Sequence, residues 1–418
     1  MSTQLSPAAE HSTEEKIPRG LIPLLAIACG AIVANIYYAQ PLAGPIAHAL
    51  GLNLGAAGLI VTLTQIGYGL GLLLVVPLGD LIETRRLVLS IVAISFAGLL
   101  LAALSAGVAA FLVASLVIGV SSTAVQILVP YAAHIAPAWR RGHVVGQVMS
   151  GLLIGIMLSR PTASFIDDLW GWKAVFYVAA GLMAVIGVLL MMLPPRRPTA
   201  NEHYLALLTS MIHLYRATPV LRRRGLYQAF LFGAFSLFWT TSPLLLASPQ
   251  FRLSQSGIAL FALAGIAGAL AAPLAGRLAD KGMSRIATGL AMVAVMAGFV
   301  LTRILHTGSW PSLLLLTAGA ILVDFGVSSS LVIGQRAIYS LGAEHRSRLN
   351  GLFMATFFAG GAACSAAGGW AYAHGGWNLA SWIGVGLPIA ALLYFATEPR
   401  EAVRIGTLIR ARAANNPH

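Results

Sequence analysis

The sequence is a succession of apolar runs of about twenty residues or more, each bounded by polar or basic residues. A run of that length in lipid must satisfy its own backbone hydrogen bonds, so it is helical. About twelve such spans are predicted. Six lie near 20–42, 56–79, 87–106, 108–133, 143–166 and 172–194, and six near 226–248, 254–276, 286–305, 311–336, 349–373 and 376–397. Composition agrees, because 58% of the 418 residues are hydrophobic and only 9% are charged, against roughly 25% charged in a soluble domain. Such a chain cannot clothe a water-facing surface. The expected fold class is an all-α membrane protein with twelve transmembrane helices in two six-helix bundles.

The formal charge of +13 does not point to nucleic acid, because the basic residues form short clusters between apolar runs rather than one stripe. With the N-terminus inside, the two tails, the central segment and the loops on the cytoplasmic side together collect 22 of the 26 Lys and Arg; the other four are Arg160, Lys173, Arg252 and Arg303. That bias places both termini in the cytoplasm. Cys29 and Cys364 each lie inside an apolar run, so no disulfide framework, metal site or cofactor is expected. No GxxxxGK[ST] motif for ATP is present, and no nucleophile, base and orienting group stand at a spacing that an enzyme would need. The run starting at Leu21 is too long for a signal peptide and leads into further spans.

The chain divides into an N-tail (1–19), a first bundle (20–194), a polar linker (195–225), a second bundle (226–397) and a basic C-tail (398–418). Within the linker, "LALLTSMIHLY" has the pattern of an amphipathic helix lying on the membrane surface. The halves repeat. "YYAQP" at Tyr37–Pro41 matches "WTTSP" at Trp239–Pro243, "PLGD" ending at Asp80 matches "RLAD" ending at Asp280, and "GWKAVF" from Gly171 matches "GWNLAS" from Gly376. Two duplicated halves of six spans are a carrier architecture, with the solute site between the halves near mid-membrane.

"GRLADKG", Gly276 to Gly282, resembles the loop signature of the major facilitator superfamily, G-x-L-A-D-R/K-x-G-R/K, through Gly276, Leu278, Ala279, Asp280 and Lys281. The first-half copy, "VPLGDLIETRR", keeps Leu78, Asp80, Arg85 and Arg86 but has Val76 and Leu81 where the signature has glycine and a basic residue. The strings "ANIYYAQPL", "AVQILVPYAA", "GAFSLFWTTSPLLL" and "DFGVSSSLVIGQRAIYSL" are similar to those of bacterial efflux-type permeases related to drug:proton antiporters. The resemblance implies a location in the bacterial inner membrane, a monomer, protons as the coupling ion and a small-molecule substrate. It also implies a gate role for Asp80 and Asp280, whose carboxylates would pair with a neighbouring basic residue or cap an adjacent helix.

By the same resemblance, spans one, four, seven and ten line the central cavity, and mid-span polar residues concentrate there. They are Asn35, Tyr37, Tyr38 and Gln40; Ser122, Thr123, Gln126 and Tyr131; Trp239, Thr240 and Thr241; and Asp324, Ser328 and Gln335. Each also has a structural reading. Ser and Thr often bond their own helix, Tyr37 and Tyr38 are alternatively interface aromatics, and Asp324 is alternatively a structural hydrogen-bonding group. Asp324 lies halfway along its span with no Lys or Arg nearby in sequence. A carboxyl that loads a proton from one side and loses it to the other is what a proton-coupled carrier needs, so Asp324 is the coupling candidate. The arginine that many drug-type carriers place in the fourth span is absent, with Ser115 at that position.

The fifth span holds "GIMLSRPTASF", where drug-type antiporters carry a Gly-Pro with flanking glycines; here Pro161 remains and Arg160 takes the glycine position. Gly151, Gly155 and Ser159 fall on one helix face and permit close packing at the seam. Arg160 points the other way. It either snorkels to the membrane edge, or faces the path and meets an acid or an anionic group of the solute. The resemblance thus implies a secondary carrier that exports a small organic solute by proton antiport; the alternative is a proton-coupled importer or uniporter on the same fold. Asp280→Ala is expected to slow turnover while solute binding persists, and unchanged turnover in that variant would remove the gate role.

Overall fold

The computed structural model describes residues 20–137, 139–194, 203–305, 307–342 and 346–398, without the side chains of 267–270, 272, 279 and 280. The expected N-tail, nearly all of the C-tail and the start of the linker therefore lie outside the described residues. Among those described there is no β-strand. Nine helices are long and apolar enough to cross a bilayer, and the bent pair Leu21–Ala34 and Ala39–Leu50 makes a tenth.

Two more spans complete the twelve. The helix Arg346–Ala396 has 51 residues, about 76 Å at helical rise, far more than one bilayer crossing. It breaks at Gly375 and Gly376, and Gly376 has φ 57° and ψ −155°, a conformation that only glycine adopts readily. Gly171 breaks the chain between Arg141–Trp170 and Trp172–Leu190 with φ 80°, so the repeated Gly-Trp pair is the same joint in both halves. The eighth span is the interrupted helix Gln255–Ile266 followed by Ala267–Asp280.

The first span was expected as one helix over 20–42. Instead it turns at Asn35–Tyr38, bends by 40° and runs on to Leu50. Pro41 and Pro45 each lack the N–H that would bond the preceding turn, which frees carbonyls at the bend. The fifth span, by contrast, runs unbroken through Pro161. The amphipathic segment of the linker is the helix Tyr204–Ala217, which buries Leu207 and Met211. The seventh span begins at Pro219, so Arg222–Arg224, expected in the linker, sit on its first turns.

Several hydrogen bonds join the two bundles. Gln65 Nε2 donates to Ser236 Oγ at 2.6 Å, Thr62 Oγ1 to the Ala362 carbonyl at 3.1 Å and Ser365 Oγ to the Gly58 carbonyl at 3.2 Å. The Ser256 hydroxyl donates to the Asp168 carboxylate. Apart from Gln65–Ser236, these contacts lie toward the membrane face opposite the one that carries the basic loops. The halves are thus pressed together on that opposite face.

Gly155 was expected at the seam between the halves. Its Cβ position falls instead on the Gly30 backbone, and that of Gly151 on Ala26. The glycine face of the fifth span therefore packs against the first span inside the same bundle, and this turns Arg160 toward the centre. Gly155→Ala is expected to lower the thermal midpoint of the purified protein, at an overpacking cost of about 1–3 kcal/mol. Gly181→Ala, where a Cβ meets nothing within 4 Å, is the matched control; equal midpoints for the two variants would contradict the close helix contact.

Candidate functional site

A cavity of about 640 Å³ lies between the bundles. Its lining includes Val76, Tyr339, Arg346 and Ser347 at the basic-face ends of their helices, and Tyr37, Arg160, Phe235, Gly265 and Asp324 at its inner end. The cavity therefore opens toward the basic face and is closed by the inter-bundle contacts on the other. Most of its wall is apolar, including Leu72, Phe232, Phe357 and Phe358.

Arg160 is 2% exposed, so it does not snorkel. Its Nε donates to Gln40 Oε1 at 2.7 Å. Its guanidinium carbon lies 4.4 Å from the Trp239 ring centre, 4.9 Å from Phe235 and 5.2 Å from Tyr37. Gln40 and Tyr37 belong to the first bundle with Arg160, whereas Phe235 and Trp239 belong to the second. An arginine of one half thus reaches into an aromatic cage completed by the other. An uncompensated Arg at a helix centre costs about 2.5–3.5 kcal/mol. Cation–π contacts of about 0.5–2 kcal/mol each and a charge-assisted hydrogen bond are of the size needed to offset it.

Asp324 is 4% exposed, and its Oδ1 accepts the Trp239 indole N–H at 2.8 Å. The second bundle also supplies Gly265, in the 3₁₀ stretch Leu263–Ile266 that interrupts the eighth span. A Cβ on Gly265 would lie 2.7 Å from Asp324 Oδ2 and 3.3 Å from Arg160 Nη1. Those two atoms are therefore within 6.0 Å of each other (2.7 and 3.3 Å end to end). They are also farther apart than the 4.0 Å of an ion pair, since none joins them. The sequence shows no cation near Asp324 because the one that approaches it comes from the other half of the chain.

The remaining predicted residues divide. Gln126 lines the cavity and donates to Tyr68 Oη at 3.0 Å; Ser328 and Gln335 also line it. Asn35 does not, because its amide donates to Ser95 Oγ at 3.4 Å inside the first bundle. Tyr38 is buried outside the lining, and Thr240 shares a hydrogen bond with Ser365 at 3.1 Å within the second bundle. Ser122, Thr123 and Thr241 bond the carbonyls of Ile118, Val120 and Leu237 in their own spans, the ordinary fate of hydroxyls in membrane helices. Gln40 and Trp239 support Arg160 and Asp324 from behind the lining. Phe235, Gly265 and Asn350 were not predicted; the first two read as ordinary apolar-span residues.

Asn350 belongs to a hydrogen-bond chain that crosses the seam near the cavity mouth. Its Oδ1 accepts from Tyr339 Oη at 2.9 Å and Gln335 Nε2 at 3.2 Å, and its Nδ2 donates to Gln126 Oε1 at 3.4 Å. On the basic face, Arg85 and Arg86 form ion pairs with Glu83 at 3.8 and 3.2 Å. Asp80 ends the 3₁₀ turn Val76–Asp80. Gly276 closes on open space, its carbonyl accepting from Arg336 at 3.4 Å, and Lys281 is exposed. The side chain of Asp280 lies outside the described residues.

Comparison with known proteins agrees with this architecture. Residues 25–338 match the family model described as Major Facilitator Superfamily. The uncharacterized transporter YgaY of Escherichia coli O157:H7 is 40% identical over 358 residues, 85% of this chain and 90% of its own. A protein of Helicobacter pylori strain G27 named "Probable sugar efflux transporter" is 23% identical over 81% of this chain and 85% of its own. Among solved structures, a point mutant of the nucleoside transporter NupG superposes with a TM-score of 0.71 at 14% identity, covering 90% of this chain and 99% of that one. A bacterial homologue of the lysosomal transporter Spinster, inward-facing and occupied, gives 0.70 at 15% identity over 90% and 95%. A multi-pass helical membrane protein with this duplicated architecture is a permease rather than an enzyme, and the chain belongs to the major facilitator superfamily.

Proposed function

We propose that this transporter exports a small organic solute in exchange for protons by alternating access, from the bacterial cytoplasmic membrane with both termini inside. The observation that carries the reading is the placement of Asp324 and Arg160. They come from opposite bundles, share the inner end of one cavity, and are close enough to sense each other without forming an ion pair. A proton on Asp324 removes the charge that faces Arg160. A solute group that donates to the Asp324 carboxylate competes with that proton, which is the exclusivity an antiporter requires.

Alternation follows from the same contacts. With the cavity open to the basic face, Arg160 lies in the cage of Phe235 and Trp239 and joins the halves toward the opposite face. Opening that face requires the guanidinium to leave those two rings while it keeps Gln40 in its own bundle. The turn at Asn35–Tyr38 and the 3₁₀ stretch Leu263–Ile266 flank the site, and such interruptions mark places where helices yield. The basic loops support a cytoplasmic position for the open side of the cavity, the side from which an exporter loads.

The test uses a solute found by thermal-shift screening of the purified protein, followed into inside-out vesicles with an imposed pH gradient. Gradient-driven accumulation is expected in the native protein. An unchanged rate when the gradient is collapsed would instead indicate a uniporter, and accumulation only with the opposite gradient an importer. Asp324→Asn is expected to abolish gradient-driven transport while binding remains, since an amide oxygen still accepts from Trp239; full accumulation in that variant would make Asp324 structural. Gly265→Ala is expected to cut transport at least tenfold by displacing Asp324 or Arg160, and native rates in that variant would contradict the site geometry.

A further inference from the structure

An aromatic cage is a common way to hold a cation, because ring faces attract positive charge once water is excluded. The inner end of this cavity contains such a cage, and it is already filled. Tyr37, Phe235 and Trp239 all lie within 5.2 Å of the Arg160 guanidinium carbon. The acid that would complete a site for an external cation, Asp324, is tied to the same Trp239. The chain has thus supplied its own cation to a cation site, and Gln40 fixes it there.

What remains for a solute is different in kind. Arg160 Nη2 and Gln40 Nε2 are buried donors with no acceptor among the described residues, and leaving such groups unpaired is costly. Asp324 Oδ2 faces Arg160 Nη1 across a gap of between 4.0 and 6.0 Å. A gap of that width admits one polar group hydrogen-bonded to both sides, each bond spanning about 2.7–3 Å. The group has to accept from the guanidinium and donate to the carboxylate. A hydroxyl or an amide does both, and adjacent charges of a zwitterion do so together; a quaternary ammonium does neither.

We propose that Arg160 fills the aromatic cage as an internal cation, so that the site rejects organic cations and takes net-neutral solutes whose polar head both donates and accepts hydrogen bonds. This assigns Arg160 as the residue that sets charge selectivity. The assignment rests on the carrier reading of the cavity, but it concerns binding and is independent of transport direction and of proton coupling.

The test measures equilibrium binding to purified protein of two small aromatic probes, phenyltrimethylammonium and phenyl β-glucoside. The native protein is expected to bind the cation at least tenfold more weakly than the glucoside. Arg160→Met vacates the cage and leaves Asp324 without its neighbouring cation, so its affinity for phenyltrimethylammonium should rise at least tenfold. Arg160→Met with Asp324→Asn should lose that gain. Arg160→Gln retains a partner for Gln40 and serves as the second cage-emptying variant should the methionine variant not fold. Arg160→Lys keeps the charge and should stay closed to the cation.

Cation binding to the native protein as tight as the glucoside's would overturn the proposal, and so would no gain in a folded cage-emptying variant. Vesicle transport separates this failure from that of the carrier reading. Gradient-driven transport without the binding preference refutes the selectivity alone, and the binding preference without transport refutes the carrier reading alone.

Discussion

A guanidinium buried at mid-membrane is the constraint around which the centre of this protein is arranged. Arg160 is 2% exposed and has no acid within ion-pair distance among the described residues, so its surroundings must stabilise it by other means. The amide of Gln40 takes one donor, and three aromatic rings take the charge. Two of those rings belong to the other bundle, so stabilising the arginine and joining the bundles are one interaction. Trp239 does double duty, offering its face to Arg160 and its indole N–H to Asp324. Removing any one of these groups exposes a buried polar atom on another, the situation in which coupled polar networks are most sensitive.

Close packing on one side of the fifth span makes that placement possible. Gly151 and Gly155 press the helix against Ala26 and Gly30 of the first span, and the opposite side is thereby aimed into the cavity. Without a hydrophobic driving force between helices in lipid, small residues of this kind are what let backbones approach. Gly265 repeats the device in the other bundle, at the point where Asp324 and Arg160 converge. The bend of the first span and the interruption of the eighth lie beside these contacts. The halves are each tightly packed at the centre, and between them the Arg160 cage adds a contact that can be made and broken.

The sequence discloses the bundle and its duplication because both are written in local signals, namely run length, the placement of basic residues and the repeated Gly-Trp joint. It also discloses that Arg160 and Asp324 are anomalous for their surroundings. It does not disclose that they are neighbours, because 164 positions and a bundle interface separate them, and no periodicity reports a contact of that kind. For the same reason Gln40 and Trp239 read as path residues although they stand behind the lining. Phe235 and Gly265 escape notice because an aromatic and a glycine are unremarked in an apolar helix. Asn35 and Thr240 mislead in the opposite direction, since a polar residue at mid-span satisfies itself as well inside a bundle as at a path. The loop signature is legible as a local string, whereas the pairing of its Arg85 and Arg86 with Glu83 involves a residue the signature does not contain.

On the proposed mechanism, the Arg160 contact with the second bundle holds the face opposite the basic loops closed. Pulsed electron-spin distance measurement between labels at Trp170 and Trp310 tests it most directly. These are exposed positions on that face, one in each bundle, and Cys29 and Cys364 would be replaced by alanine. The account predicts one short-distance population in the native background and an added longer population when Arg160→Gln removes the cation from the cage. An unchanged distance distribution in the Arg160→Gln protein would contradict it.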